Sequence, residues 1–452
     1  MRLAALLLLA LTTAATQAQA QTQTQTPNLT GRWLATFDFY GVPRYFHLDL
    51  TQEANKLTGT FAGDKLEGTL TPAANGKDAT LHFFAKDEHG GTEDATGTLT
   101  LDPKKQETLT ATVIETHTDE PSVTYKIIAT RIPARPTAAP QRHEFTPTVF
   151  HHTYSPLNPP VLTINPGDTV HTWTVDAGGN DADNVKRTYG GNPQTGPFYI
   201  QSAMPGDTLV VHINRLRLNR DTAGSDDGMV ESSLNSNLAV KMKDVGKGIT
   251  WHLDRTAGTA SPLHPSEHLA HYTIPLRPML GCVATAVGPS SAPPPTGDSG
   301  GYGGNMDFNE ITEGTTLYLP VQNPGALLYL GDAHAAQGDG ELNGNALETS
   351  MDVEFTVDVI PNKNPHGRRV ETPTHIITMG YYGSLDDAFK DATNNMAQWL
   401  TEDYSLTPSE VAQVLGTAAE YKVSEVADRN SGIVLKINKD RLKPLTKAPP
   451  KS

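Results

Sequence analysis

Hydrophobic and polar positions alternate over short stretches through the first third of the chain. LTGRWLATFDF, RYFHLDLTQ, KLTGTFAG, KLEGTLTP, ATLHFFAKD, ATGTLTLD, TLTATVIE and VTYKIIATRI are rich in Thr, Leu, Phe and Tyr. Gly, Asn, Asp or Pro separates most of them. A period near two, broken by turn residues, predicts strands, and about eight at this spacing make a small up-and-down β-barrel or sandwich over 29–132. Pro133–Pro140 (PARPTAAP) follows as a semi-rigid linker, so a second domain is expected over 143–440. Its first part is again β-rich. Two "PGD" turns, Asn165–Asp168 and Met204–Asp207, each predict a tight hairpin between neighbouring strands. Pro289–Gly304 reads as a long loop of the kind that forms a lid. The period lengthens after residue 384. Leu385, Ala388, Phe389, Ala392, Met396, Trp399 and Leu400 share one helical face behind the N-cap Ser384. Thr407-Pro408 with Glu410 starts a second helix whose apolar stripe is Val411, Val414, Leu415, Ala418 and Ala419. GIVLKIN predicts a closing strand, and the lysine-rich tail from Lys439 is expected to be disordered. The fold class is therefore mainly β with a C-terminal α/β portion.

Composition refines this picture in three ways. The chain of 452 residues exceeds one small core. Its net charge of −15 repels phosphate backbones and sets nucleic acid aside as a partner. The N-terminus has a positive Arg2, an apolar run Leu3–Leu11 and a small-x-small site at Ala18–Ala20. That is the form of a cleavable export signal over 1–20, too short to span a bilayer, which predicts a periplasmic or secreted protein without a membrane anchor. Cys282 is the sole cysteine, so no intramolecular disulfide is available. A buried, inert thiol is expected there.

The densest chemistry is Gly331–Glu341, GDAHAAQGDGE. It places Asp332, His334, Gln337, Asp339 and Glu341 close together. Its glycines let the backbone bend so that these groups converge. If the first part is extended, Asp332 and His334 share a face. Neutral imidazole with carboxylates suits zinc; carboxylates with carbonyl oxygens suit calcium. A bound divalent metal polarises a carbonyl and acidifies water, and a nearby carboxylate can move the proton to a leaving group. The expected metal ligands are His334, Asp307 and Asp176. Glu341 and Asp339 are the expected acid–base groups, and Asn305, Asp332 and Gln337 the expected substrate contacts. Each aspartate beside a glycine has a rival role as a turn cap. Glu348 reads as a strand or salt-bridge residue and His375 as structural. His151 and His152 are adjacent, so in a strand at most one faces a site. His264, His268 and His271 stay unassigned.

Four segments share an order and a spacing: NPQTGPFYIQSAMPGD (Asn192–Asp207), PLRPMLGC (Pro275–Cys282), GGNMD (Gly303–Asp307) running on to QGDGE, and THIITMG (Thr374–Gly380). Together they resemble the acetamidase/formamidase family over residues 143–437. The opening Gly31-Arg32-Trp33 and the repeated L-x-G-T (Leu57–Thr60, Leu66–Thr69) resemble lipocalin-like β-barrels. The first resemblance implies a β-rich catalytic domain that hydrolyses a small linear amide to a carboxylate and ammonia. It further implies a divalent metal, zinc with calcium as the alternative, and a homodimer. No flanking sequence of nitrilase type surrounds Cys282, and no serine-amidase stretch is visible. The insertion between Asp221 and Pro275 departs from the compact family pattern and leaves the amide open. Two other readings are a hydrolase of a different amide and an exported binding protein that keeps the fold without catalysis.

Overall fold

The computed structural model describes residues 28–74, 78–100, 107–242, 245–365 and 367–447. The expected export signal at 1–20 and the end of the basic tail lie outside the described residues. The chain forms two compact units, one of Met1–Phe37 with His47–Arg131, the other of Asp38–Phe46 with Ile132–Ser452.

Eight sequential antiparallel strands from Gly31–Phe39 to Val123–Arg131 close into a barrel. Closure pairs the first strand with the last, Trp33 opposite Arg131. Alternation along each strand explains the interior: Leu48, Leu57, Phe61, Leu81, Phe83, Ala95, Leu99, Leu109, Val113 and Ile127 are all buried. Leu and Phe fill the lumen, so this barrel is a packed core.

The second unit carries an eleven-stranded and a nine-stranded sheet. Their apolar faces meet in one core that joins Leu209, Val211, Ile213 and Phe355 of one sheet with Leu280, Val283, Leu328 and Leu330 of the other. The Gly31–Arg131 barrel, these two sheets and two C-terminal helices realise the mainly β architecture with a terminal α/β portion.

Both PGD turns form. Asp168 N donates to Asn165 O and Asp207 N to Met204 O, each at 3.0 Å. Neither makes a hairpin. Leu162–Ile164 before the first turn lies in the larger sheet, and Thr169–Thr174 after it lies in the smaller one. Gln194–Ile200 and Thr208–Leu218 repeat this around the second turn. Each turn therefore carries the chain from one layer to the other. The expected lid also differs, since Ser299–Gly300 and Gly303–Asn305 pair at its end.

The helix Leu385–Tyr404 is capped by Ser384, and Pro408–Ala418 starts with a complete Thr407/Glu410 capping box. The first buries Ala388, Ala392, Met396, Trp399 and Leu400 against Ile376, Ile433, Leu435 and Ile437. Phe389 leaves the predicted stripe and stacks on Tyr421 with ring centroids 4.4 Å apart, and Leu385 is exposed. In the second helix only Val411 is fully buried. The expected closing strand forms over Ser431–Asn438, but Lys439–Leu442 after it is a helical turn with Leu442 buried, not a disordered tail. Among the described residues no helix is long and apolar enough to cross a membrane.

Candidate active site

The site is built on the strand Leu328–His334, buried throughout. On one side it pairs with Met279–Ala284, with Met279 opposite His334 and Cys282 opposite Gly331. On the other it pairs with Glu348–Thr349, which sets Glu348 opposite His334. Gly303–Asn305 lies beyond Met279–Ala284, with Asn305 opposite Cys282. The regular pairing skips Asp332, which takes a positive φ of 54°. Asp307 (37°) and Glu341 (49°) share that left-handed backbone. Such conformations cost non-glycine residues energy and cluster where a site demands an exact direction for a side chain.

Asp307, Asp332 and His334 converge, and ligand atoms of all three lie within 4.8 Å of one another. A second trio of His334, Glu341 and Glu348 meets the same limit. His334 Nε2 is the shared atom, 3.3 Å from Glu348 Oε1, 3.7 Å from Asp332 Oδ1 and 3.9 Å from Asp307 Oδ1. The other ring nitrogen, Nδ1, is 2.9 Å from Gln337 Oε1. An amide oxygen only accepts, so Nδ1 carries a proton and Nε2 is the ring atom turned to the carboxylates. Asp307 Oδ1, Asp332 Oδ1 and His334 Nε2 are all buried without a hydrogen-bond partner among the described residues.

A buried cage of acceptors needs protons or a cation to offset its repulsion. Burial, then the charges of Glu341 and Asp332, hold the Asp307 carboxyl well above the usual carboxylate range. Burial does the same for Glu341, helped by Glu348 and Asp332. Glu348 is pushed up to about 7, first by burial and then by Asp332. For His334 burial works against the charged ring, but Glu348 and Asp332 outweigh it and raise its pKa. Gly281 supplies the space for this crowding: a Cβ there would sit 2.7 Å from Asp332 Oδ2 and closer still to Asp307 Oδ1.

Several residues stand elsewhere than expected. Asp332, expected to contact substrate, stands among the cage ligands, where Asn192 Nδ2 donates to its Oδ2 at 3.1 Å. Gln337, also expected at the substrate, holds the cage from behind: its Nε2 donates to Asp307 O at 2.5 Å and Ser424 O at 3.3 Å. Asp176 belongs to neither trio. Its Oδ2 takes a buried hydrogen bond of 2.7 Å from Arg220, and Asn180 occupies its other lone pairs. Asp339 is half-exposed and bound by Lys422 at 2.9 Å and Asn309 at 2.8 Å, outside the cage. Glu348, read as a structural residue, enters the cage through the strand register.

Asn305 accepts from Cys282 Sγ at 2.9 Å and from Asn192 Nδ2 at 3.3 Å, and donates to Asp428. Asp428 and Glu425 went unnoticed in the sequence. They lie on a turn bound to the GDGE segment, where Gly340 N donates to Ser424 O at 3.1 Å and Val426 N to Gly340 O at 3.0 Å. Glu425 is fully buried, with Oε1 unpartnered among the described residues. Both acids sit in a mostly polar stretch, 420–431 (EYKVSEVADRNS), which carries no signal that separates them from surface charges. Cys282 is buried, and burial followed by the charges of Asp332 and Asp307 drives its thiol pKa far up. A thiol held in the neutral form is not a nucleophile.

Comparison with known proteins agrees with this arrangement. The acetamidase/formamidase family profile matches residues 294–429, a span that contains Asn305, Asp307, the GDAHAAQGDGE segment and Asp428. The chain is 24% identical to a formamidase of Methylophilus methylotrophus, over 62% of this chain and 86% of that protein. An acetamidase of Mycolicibacterium smegmatis is 26% identical over 46% of this chain and 66% of its own length. The crystal structure of an acetamidase from Bacillus halodurans superposes with a TM-score of 0.57 at 27% identity, covering 67% of this chain and 99% of that one. An acetamidase/formamidase structure from Thermoanaerobacter tengcongensis superposes with a TM-score of 0.59 at 25% identity, covering 68% and 98%. The matched profile encloses the acceptor cage and the fold is shared along nearly the whole of those relatives, so residues 294–429 match the acetamidase/formamidase family and the chain is similar to its amidases.

Proposed function

We propose that the protein hydrolyses small linear amides such as formamide or acetamide, and that a divalent cation held by Asp307, Asp332 and His334 takes part. The observation that carries this reading is the meeting of three buried, unpartnered acceptor atoms around one point. An imidazole nitrogen with two carboxylates is a donor set that suits zinc, with calcium as the alternative. Such an ion, when bound, supplies Lewis-acid polarisation of the carbonyl and lowers the pKa of water.

The chain's own groups then divide the remaining work. Gln337 fixes the His334 tautomer, and Asn192 orients Asp332. Glu341, buried beside the cage, takes a proton from the attacking water and passes it to the amide nitrogen. Water oxygen bonds to the carbonyl carbon, the C–N bond breaks, and the products are a carboxylate and ammonium. Protonation of nitrogen matters because an amide anion is a very poor leaving group. The names of the relatives support formamide and acetamide as first substrates. Arg2, the apolar run and the small-x-small site support export to the periplasm or medium.

The test is ammonia release from a panel of short amides, with metal analysis, before and after complete chelation. Loss of release with the metal and its return on adding zinc or calcium is expected. Release that survives complete metal removal would overturn the metal-dependent reading, and no release from any amide by the metal-loaded protein would favour a binding protein on this fold.

A further inference from the structure

Asp428 is joined to the buried cage through Asn305 and Asn192, and nothing in the reaction just described uses it. It is an exposed residue. Its charge acts on Asp307 and Glu341, and those of Asp332 and His334 act on it, in keeping with the hydrogen bonds that tie it to the cage. One of its oxygens, Oδ2, accepts from Asn305 Nδ2. Its backbone N–H donates to Glu425 Oε2 at 3.2 Å. The first bond orients the carboxylate and the second fixes the backbone that carries it. Oδ1 has no hydrogen-bond partner among the described residues.

A second line of contacts ties this group to the cage. Asn192 Nδ2 reaches Asn305 Oδ1 at 3.3 Å and Asp332 Oδ2 at 3.1 Å. Asn305 thus stands between Asp428 and the ligand Asp332. The Asp428 carboxylate is held by Asn305, which in turn accepts from Asn192, the amide that orients Asp332. This is the arrangement expected of a group that touches the substrate and not of a surface charge left to solvent.

The chemistry needs such a group. A primary amide has two N–H donors, and its carbonyl oxygen must face the cage for hydrolysis. The nitrogen then points away from the ligands, and its N–H groups require an acceptor. After the C–N bond breaks, the nitrogen departs as ammonium, which a carboxylate attracts more strongly than a neutral acceptor does. We infer that Asp428 Oδ1 binds the amide nitrogen of the substrate and holds the leaving ammonium, making it a specificity residue for unsubstituted amides. This inference rests on the amidase reading above.

The test compares the metal-loaded full chain with its Asp428→Asn and Asp428→Glu variants. Asp428→Asn keeps an oxygen for Asn305 and lies at an exposed position, so folding is preserved and is checked by the melting temperature. Initial rates on formamide and acetamide give kcat and KM, and methylammonium chloride serves as the probe for the ammonium position. Loss of a charge-assisted bond raises KM and the methylammonium inhibition constant together, by about ten- to a hundredfold in the Asn variant. The Glu variant recovers part of both. Values within twofold of wild type in the Asn variant overturn the inference. A fall in kcat with KM and methylammonium inhibition unchanged also overturns it, because the residue would then act only through Asn305. A wild-type chain that hydrolyses no amide would instead remove the amidase reading, a result distinct from active wild type with an indifferent variant.

Discussion

Gly281→Ala is the sharpest probe of the cage, because it adds one carbon and no charge. The residue has ordinary backbone angles for any amino acid, so the effect is purely one of space. The new Cβ would lie 2.7 Å from Asp332 Oδ2 and 2.9 Å from Asp332 O, and nearer still to Asp307 Oδ1. An unstrained carbon–oxygen contact is about 3.3 Å, so the Asp332 carboxylate must retreat by roughly 0.6 Å and Asp307 by more. Metal ligand distances tolerate only about 0.2 Å. The cage must therefore open, and its ligands can no longer meet at one point. Overpacking costs about 1–3 kcal/mol of stability, while misplacing reacting groups by this much costs about a hundredfold in kcat/KM. The assay is metal content after dialysis, kcat/KM for acetamide and formamide, and the melting temperature of each protein. Gly224→Ala is the control, since a Cβ there meets nothing within 4 Å. A Gly281→Ala protein that keeps its metal stoichiometry and a kcat/KM within threefold of wild type, where about a hundredfold loss is expected, would refute the reasoning. It would show that these carboxylates are free to move and do not form a tight cage.

Three further outcomes are expected. Asp176→Asn leaves the buried Arg220 without its opposite charge, which should cost about 3–5 kcal/mol in urea unfolding while metal stoichiometry stays unchanged; a lost metal would return Asp176 to the cage. His334→Ala should abolish both metal retention and ammonia release with little loss of secondary structure by circular dichroism, and a variant that kept both would remove the central ligand. Glu93 in the barrel is lifted from 4.5 to about 7, first by burial and then by the charges of Asp64, Glu115 and Asp87. Between those values the folded chain keeps a proton that the unfolded chain has lost, so stability present below pH 4.5 is lost as pH rises through 7. Glu93→Gln should remove this dependence and raise stability at pH 8 by about 1–2 kcal/mol after allowance for solvent screening, as read by urea unfolding; an unchanged pH slope would exclude Glu93 as the cause.

The candidate site was only partly legible in the chain. GDAHAAQGDGE and GGNMD announced a site because polar groups and glycines are concentrated there over a few residues. Their division into roles was not readable. Asp332 and Gln337 exchanged expectation for structure because a short segment does not say which way each side chain faces once its backbone turns left-handed. Asp339 looked equivalent to Glu341, two residues on. Lys422 and Asn309, remote in sequence, hold it outside the cage. Asp176 was expected at the cage and stands outside both trios, beside Arg220, which is 44 residues away.

Local pattern determined the local elements. Alternation specified the barrel strands, since a one-residue slip would turn every Leu and Phe outward. Ser384 and Thr407-Pro408-x-Glu410 specified where the helices start, because capping is a contact among neighbours. Proline, glycine and aspartate specified the two PGD turns. Whether a turn folds a strand back on its neighbour or sends it to another sheet depends on hydrogen bonds that the turn itself does not contain. That choice belonged to the tertiary structure, as did the pairing of His334 with Glu348 and the bond between Asn305 and Asp428. Each depends on register between segments far apart in the chain, and register is set only when the two apolar sheet faces close on a common core.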